Sequence, residues 1–238
     1  MARNWSVMTE RQKREAAAVY YASITEIDSQ YGRALDLVAR AGRLDDTIVI
    51  VTSDHGEFLG AHGLYCKNVS AFEEAYNVPL IMAGPGFARG VTTSARVGLS
   101  DLCPTLMELT GVEAFSSPDS RSFARILPDP ARHEGEFTTG FAESTGSRWK
   151  ASHRVYWEGP WKLVVNGFDF DELYNLDEDP YEMRNLAVDP AYEPQIRRLC
   201  RGMWRIIRDT GDRTLLRTDY PCCRLAPYGP EVLDEPGD

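Results

Sequence analysis

The chain has 238 residues, of which 43% are hydrophobic, and its formal net charge at pH 7 is -10. A chain of this length can bury a sizeable core in one or two domains, and its negative charge argues against a nucleic-acid partner. The sequence has no apolar run of the ~18 residues that a membrane-spanning helix needs, so we predict no membrane span.

The first predicted element is a long amphipathic helix. Thr9 and Gln12 have the spacing of a capping box, and Gly42 is a typical C-terminal stop. Between them, apolar residues recur at intervals of three or four, which is the period of one helix face. These apolar residues are Tyr20, Ile24, Ile27, Tyr31, Ala34, Leu35 and Val38.

A strand follows the helix and ends in a polar motif. Residues 48–51 read Ile-Val-Ile-Val, a β-branched run that suits a strand buried on both faces. Asp54 and His55 come just after it, at the carboxyl end of the strand, where α/β proteins bind ligands. Lys67 follows thirteen positions after Asp54, and a second apolar strand is predicted at residues 78–82. A carboxylate, an imidazole and an ammonium around one strand end predict part of a site for a metal and an anion.

The rest of the chain predicts helices, a polar boundary and a mixed C-terminal region. Residues 112–136 are polar and contain three prolines, which indicates a loop and a domain boundary. We therefore predict two domains, residues 1–136 and residues 137–238. The predicted elements are a helix at residues 101–110, strands at 137–143, 154–157 and 161–165, and a helix at 193–209.

Ordered blocks of this sequence resemble the sulfatase family, a branch of the alkaline-phosphatase superfamily. Ser-Asp-His-Gly spans residues 53–56, and Gly-Ala-His-Gly-Leu-Tyr-Cys-Lys spans residues 60–67. The resemblance covers most of residues 15–205. It implies an α/β fold, the later part of an alkaline-phosphatase-like sheet flanked by helices, with a small C-terminal α+β subdomain. Further blocks are Glu-Glu at 73–74, Val-Pro-Leu-Ile at 78–81, Trp-Lys-Leu at 161–163, Glu-Leu-Tyr-Asn-Leu at 172–176, Asp-Pro at 179–180 and Asn-Leu at 185–186.

The same resemblance implies roles for four residues. Asp54 and His55 match metal ligands, and Lys67 matches the lysine that contacts the sulfate group and its bridging oxygen. His62, in the loop before Lys67, is assigned to the catalytic pocket. The implied cofactor is a divalent metal. Ca2+ comes first because carboxylates suit it, and Mn2+ is the alternative because imidazole suits softer ions.

Each assignment has a structural alternative. Asp54 could cap the following loop, and Lys67 could be an ordinary surface lysine. His55 could hydrogen-bond the nucleophile or the substrate instead of binding the ion, and His62 could lie in its loop without a ligand role. A further histidine, His153, opens the predicted hairpin and is expected to be solvated.

The nucleophile of the family, a cysteine in a Cys-x-Pro-x-Arg motif that is oxidised to formylglycine, has no match here. Asp45 and Asp46 are adjacent, like the first metal-binding aspartates of the family, but we interpret them as turn residues. The chain therefore resembles the C-terminal half of an arylsulfatase-type enzyme, begun at an internal Met. The sequence has five cysteines, and none of them lies in this motif. They are Cys66, Cys103, Cys200, Cys222 and Cys223.

These observations predict hydrolysis of a sulfate monoester, carried by a small molecule or a carbohydrate, with the missing N-terminal half as a partner. One alternative is a phosphonate or phosphate monoester hydrolase of the same superfamily. Another is a catalytically inactive fragment or binding chain. An odd number of cysteines without Cys-x-x-Cys spacing favours reduced thiols, which makes the cytoplasm the expected compartment.

Overall fold

The computed structural model describes residues 6–67, 70–113, 117, 119–144, 152–167, 169–211 and 226–235. Contacts group the chain into two units, residues 1–89 and residues 90–238. The predicted domain boundary between residues 136 and 137 falls inside the second unit and stays a prediction. Among the described residues, no helix is both long and apolar enough to cross a membrane. Cys222 and Cys223 lie outside the described residues.

The first unit begins with helix α1, Glu10–Arg40. The predicted capping box is confirmed, because Gln12 N donates to the Thr9 hydroxyl at 3.3 Å and Thr9 N donates to the Gln12 side chain at 2.9 Å. No residue of α1, which is described over its whole length, is buried. Ile24 and Ile27, on the predicted apolar face, are 46% and 53% exposed. The helix therefore presents much of its apolar face to solvent.

Two strands follow α1 in the first unit. Strand β1, Val49–Thr52, pairs antiparallel with β2, Leu80–Ala83, and a short helix α2, Glu73–Tyr76, comes between them in sequence. The β-branched run predicts burial on both faces, but every residue of β1 is only partly buried. Ile81 of β2 is 63% exposed. The difference arises because β2 is the one strand that pairs with β1 in the described part of the chain.

The second unit contains an antiparallel sheet and a long helix. Its strands pair in the order β3-β4-β5-β6, so each strand lies beside its neighbour in sequence. The predicted hairpin and the predicted C-terminal helix are both confirmed. The elements are α3, Leu102–Thr110; α4, Pro130–His133; β3, Thr139–Ser144; β4, His153–Glu158; β5, Trp161–Asn166; β6, Glu172–Asn175; and α5, Glu193–Asp209.

The core of the second unit lies between α5 and one face of the sheet. Leu199 and Trp204 of α5 are buried with Leu163 of β5 and Leu173 of β6. Burial of side chains of this size stabilises the fold by roughly 1.5–3 kcal/mol each. The Trp204 indole donates to the Tyr228 carbonyl at 2.7 Å, so its polar atom is satisfied and the segment at residues 226–235 is tied to α5.

The opposite face of this sheet holds a buried ion pair. Lys162 Nζ lies 2.7 Å from Glu182 Oε1, and the two side chains are 0% and 1% exposed. The same ammonium lies 5.5 Å from the centroid of the Trp157 ring. A charge removed from water this completely needs a partner, so the pair fastens the turn at Glu182 to strand β5.

His153 lies on the same face, and the prediction that it is solvated is wrong. Its exposure is 3%, because strand alternation places it with Val155, which lies opposite Val164 and is itself buried. Burial, and then the positive charge of Lys162, hold the pKa of His153 below its ordinary value of 6.5.

We expect the stability of the chain to fall as the pH drops below 6.5, the ordinary pKa of histidine. Unfolded His153 binds a proton at that ordinary pKa, whereas the folded chain resists protonation. Its contribution is therefore present above pH 6.5 and is lost as the pH falls through the lower folded pKa. Guanidinium unfolding midpoints between pH 7.5 and 5 measure the effect. His153→Gln should flatten the slope of the unfolding midpoint against pH. His133 is partly exposed, so His133→Gln should leave that slope unchanged. Equal slopes in wild type and both variants would contradict the prediction.

We also expect the isolated chain to self-associate, because the apolar face of α1 and strand β2 are open to solvent. Size-exclusion chromatography with light scattering measures the mass. Replacing Ile24 and Ile27 together by Gln should lower the associated fraction. Val188→Gln, which removes an apolar side chain that is 74% exposed in the second unit, is the control. A cooperatively unfolding wild-type monomer at high concentration would refute the expectation.

Candidate functional site

The carboxyl end of strand β1 leads into a turn that is tied to helix α2. The Ser53 hydroxyl donates to the His55 carbonyl at 2.8 Å, and Gly56 N donates to the Ala75 carbonyl at 3.0 Å. These two bonds hold Asp54 and His55 at the strand end. The prediction that both residues lie at the end of this strand is therefore confirmed by the backbone.

Gly56 is required by a close approach of two backbone segments. A Cβ at this position would lie 1.8 Å from the carbonyl oxygen of Glu74. No side chain fits at that distance, so the turn and α2 can meet only at a glycine. This contact explains in physical terms why Gly follows Asp-His in the motif.

The loop from Glu57 to Cys66 closes on itself and delivers Lys67. Glu57 Oε1 accepts hydrogen bonds from Leu59 N, at 3.2 Å, and from Cys66 N. Phe58 N also donates to the Cys66 carbonyl at 3.1 Å. Nothing in the sequence patterns singles out Glu57 except its position directly after Ser-Asp-His-Gly, yet its carboxylate brings the two ends of the loop together.

The loop is locally strained. Leu59, His62 and Cys66 have positive φ angles of 46°, 53° and 67°, in the region that non-glycine residues rarely adopt. Such conformations cost about 1–3 kcal/mol each and persist only where the surrounding contacts determine them. Strain of this kind concentrates at functional sites, so it favours a functional role for the loop.

The structure brings three of the predicted site residues together. Lys67 Nζ contacts His55 Nε2, and Asp54 Oδ2 lies 3.3 Å from the same nitrogen. His55 Nδ1 lies 2.8 Å from the Gly56 carbonyl oxygen. A carbonyl can only accept, so Nδ1 carries the proton and the lone pair of Nε2 faces the Lys67 ammonium. The Lys67 ammonium and the Asp54 carboxylate thus both lie near the same nitrogen of the His55 ring.

His62 has a different environment from these three residues. Its ring stacks on Phe72 with centroids 3.6 Å apart and planes at 6°, and its Nε2 lies 3.5 Å from Glu74 Oε2. Its side chain is only 11% exposed. These contacts fasten the middle of the loop to α2, and the catalytic role assigned to His62 stays a prediction.

The described residues supply only part of a metal site. Asp54 offers a carboxylate that is 81% exposed and of the kind that Ca2+ prefers, but Ca2+ takes 6–8 oxygen ligands. Within the described ranges, no group of three or more His, Cys, Asp or Glu could hold a metal ion. The lone pair of His55 Nε2 is directed at Lys67. Asp54 and His55 alone therefore do not complete a site.

Cys66 lies next to Lys67 but is unsuited to nucleophilic attack. Burial, followed by the negative charge of Glu57, raises the pKa of the Cys66 thiol above its ordinary value. A thiol with a raised pKa stays protonated at neutral pH, and the thiolate is the reactive form. Cys66 therefore suits a structural role better than a nucleophilic one.

We expect Gly56→Ala to lower the free energy of unfolding by about 1–3 kcal/mol, the usual cost of overpacking, because the new methyl group would overlap the Glu74 carbonyl. Gly32→Ala is the matched control: a Cβ there meets nothing within 4 Å, and alanine in a helix is about 0.5–1 kcal/mol more favourable than glycine. Guanidinium unfolding measures both changes. Two substitutions of equal effect would contradict the close approach.

Comparisons with known proteins match this part of the chain and most of the second unit. A family model described as Sulfatase matches residues 2–112, and one described as N-sulphoglucosamine sulphohydrolase, C-terminal, matches residues 60–209. Choline-sulfatase of Rhizobium meliloti is 34% identical over 186 residues, which are 77% of this chain and 35% of that protein.

Two solved structures have a similar fold. BT4656, in complex with its substrate D-glucosamine-2-N,6-O-disulfate, matches with a TM-score of 0.74 and 26% identity over 85% of this chain and 41% of that chain. The phosphonate monoester hydrolase SpPMH from Silicibacter pomeroyi matches with a TM-score of 0.75 and 28% identity over 87% and 44%. The chain thus spans between 35% and 44% of the length of these three proteins.

Proposed function

The chain belongs to the sulfatase family, and from this premise we propose that it takes part in the hydrolysis of sulfate monoesters. Its structural neighbours include a protein solved with a sulfated sugar substrate and a phosphonate monoester hydrolase, and the predicted α/β fold class is confirmed. The observation that carries the proposal is the contact between Lys67 and His55 beside Asp54, at the end of strand β1.

In this proposal Lys67 stabilises the charge that develops on the bridging oxygen when the sulfate ester bond breaks. A fixed cation aimed at that oxygen lowers the barrier because it needs no reorganisation during the reaction. His55 accepts from the ammonium, and Glu57 closes the loop that ends at Lys67. Both residues therefore orient Lys67, while His62 holds the same loop through Phe72 and Glu74.

We propose Asp54 as a ligand of a divalent metal, Ca2+ first and Mn2+ as the alternative. His55 either joins the coordination or stays the hydrogen-bond partner of Lys67. The remaining ligands are proposed to come from the N-terminal half that the resemblance implies, since the two donors found among the described residues are too few. When bound, such an ion supplies positive charge for the sulfate oxygens.

The nucleophile is also proposed to come from outside this sequence, because none of its five cysteines lies in a Cys-x-Pro-x-Arg motif. The proposed partner is the N-terminal half of the sulfatase fold, which the resemblance to the family implies. The exposed apolar face of α1 supports this, since an amphipathic helix normally buries its apolar stripe.

The proposed substrate is a sulfate ester of a small molecule or a carbohydrate. The neighbour BT4656 was solved with a disulfated glucosamine as its substrate, which supports the carbohydrate class. The compartment expected from the cysteine count, the cytoplasm, stays a prediction.

A phosphonate or phosphate monoester hydrolase is the second candidate. The similarity to SpPMH, a phosphonate monoester hydrolase, favours it specifically. A lysine beside the leaving oxygen would stabilise the charge that develops there in a phosphonate or phosphate ester as well as in a sulfate ester. A catalytically inactive chain is the third, favoured by the missing nucleophile motif.

We expect the purified chain alone not to turn over an aryl sulfate, because the covalent step has no nucleophile. A chimera in which this chain replaces the matching part of choline-sulfatase should hydrolyse aryl sulfates faster than aryl phosphonates. Lys67→Ala should lower the kcat of the chimera by about 100-fold or more, and Lys13→Ala on α1 should not.

Three results would count against the proposal. Turnover by the isolated chain that disappears on Lys67→Ala would place the nucleophile within these residues. A folded chimera that prefers the phosphonate ester would favour the second candidate. A folded chimera without activity on either ester would favour the inactive chain.

A further inference from the structure

Helix α5 carries a ridge of arginines on its outer side. Its inner side is buried in the core of the second unit. The arginines lie outside this buried side, and Arg198 reaches back to pair with Glu158 of β4. At 1.5 Å per residue the ridge is about 16 Å long. In a chain with a net charge of -10, this concentration of positive charge is unusual. The residues are Arg197, Arg198, Arg201, Arg205 and Arg208.

The first part of the ridge lines a cavity of about 420 Å³. Arg197, Arg198 and Arg201 form one wall, and Glu193 and Glu235 supply the acidic groups. The lining carries three positive and two negative side chains, and Arg198 is also paired with Glu158 of β4. The three arginines therefore meet three carboxylates, and the cavity becomes net positive when Glu235 leaves it. A volume of this size lies within the range of small-molecule sites.

A carboxylate of the chain itself already lies among these arginines. Both oxygens of Glu235 contact Arg197 Nη1, and Glu235 Oε2 lies 3.6 Å from Arg201 Nη2. The Arg197 guanidinium also lies 4.4 Å from the centroid of the Tyr228 ring. Arg197 thus already holds an oxyanion through one terminal nitrogen, and Arg201 lies near the same carboxylate. Hydrogen bonds of this charge-assisted kind are stronger than neutral ones.

Glu235 is not needed to attach its segment to α5. Trp204 donates to the Tyr228 carbonyl at 2.7 Å, and Arg201 Nε donates to the Val232 carbonyl at 3.0 Å. Val232 itself is buried in the core. Since exposed ion pairs contribute only about 0–1 kcal/mol to stability, the carboxylate can leave the cavity while the segment stays in place.

We propose that this cavity is an oxyanion site that takes a sulfate or carboxylate group of a carbohydrate, and that Glu235 is the intrachain group which the ligand displaces. The carbohydrate class rests on the proposed function, while the oxyanion chemistry rests on the cavity alone. A tethered group competes at an effective concentration in the millimolar range. A ligand must therefore bring further contacts to the cavity to displace Glu235.

Calorimetric titration of the 238-residue chain at low salt tests this site. The probes are glucosamine 6-sulfate, inorganic sulfate and unsulfated glucosamine. Glu235→Gln should bind glucosamine 6-sulfate about tenfold more tightly than wild type, because the tethered competitor is gone. The control is Glu143→Gln, which makes the same charge change and breaks the Glu143–Arg154 ion pair. Arg197→Gln and Arg198→Gln should each weaken binding.

Hydrogen exchange gives a second readout that self-association does not obscure. Saturating sugar sulfate should increase exchange at residues 233–235 and leave α5 protected. The proposal is overturned if Glu235→Gln binds no more tightly than Glu143→Gln, or if both arginine variants bind like wild type. Equal affinity for inorganic sulfate and the sugar sulfate would contradict the carbohydrate class. No catalysis is measured, so failure of the proposed hydrolysis leaves this result standing.

Discussion

The contact on which the first unit depends is the approach of Gly56 to the Glu74 carbonyl. Because a Cβ on Gly56 would lie 1.8 Å from that oxygen, the turn and helix α2 can meet only where a side chain is absent. The hydrogen bond from Gly56 N to Ala75 then fixes the direction of the turn. From it follow the position of His55 and the contact of its ring with Lys67. One missing methyl group thus sets the geometry of three charged or polar groups.

Two charge clusters of this chain, one in each unit, differ in their access to water. In the first, Asp54 is 81% exposed and His55 36% exposed, so their polar atoms remain accessible to a ligand. In the second, Lys162 and Glu182 are sealed from water, and such a pair gains little net stability because desolvation opposes the attraction. Its role is to fix the turn at Glu182 to one position on the sheet. Charged groups that are open to solvent can bind a ligand, whereas an ion pair sealed from water can fix the position of a turn on a sheet.

The sequence patterns predict which segments form helices and strands better than they predict which residues are buried. The capping box at Thr9, the hairpin and helix α5 depend on local spacing, and they are where the patterns place them. Burial depends on partners far away in sequence, so the patterns predict it wrongly for β1 and His153. The meeting of Asp54, His55 and Lys67 follows from motif order. Glu57 and Phe72 could not be foreseen, because their roles arise only once the loop closes on itself.

The sequential order of strands β3 to β6 has a kinetic consequence. Every strand pairs with its neighbour along the chain, so the sheet forms from contacts of short sequence separation, which close with little loss of chain entropy. Helix α5 can then dock onto a sheet that already exists. Strands β1 and β2 must instead close the long segment between Thr52 and Leu80 for a single pairing. During synthesis on the ribosome, the later-made unit would therefore gain structure faster than the earlier one.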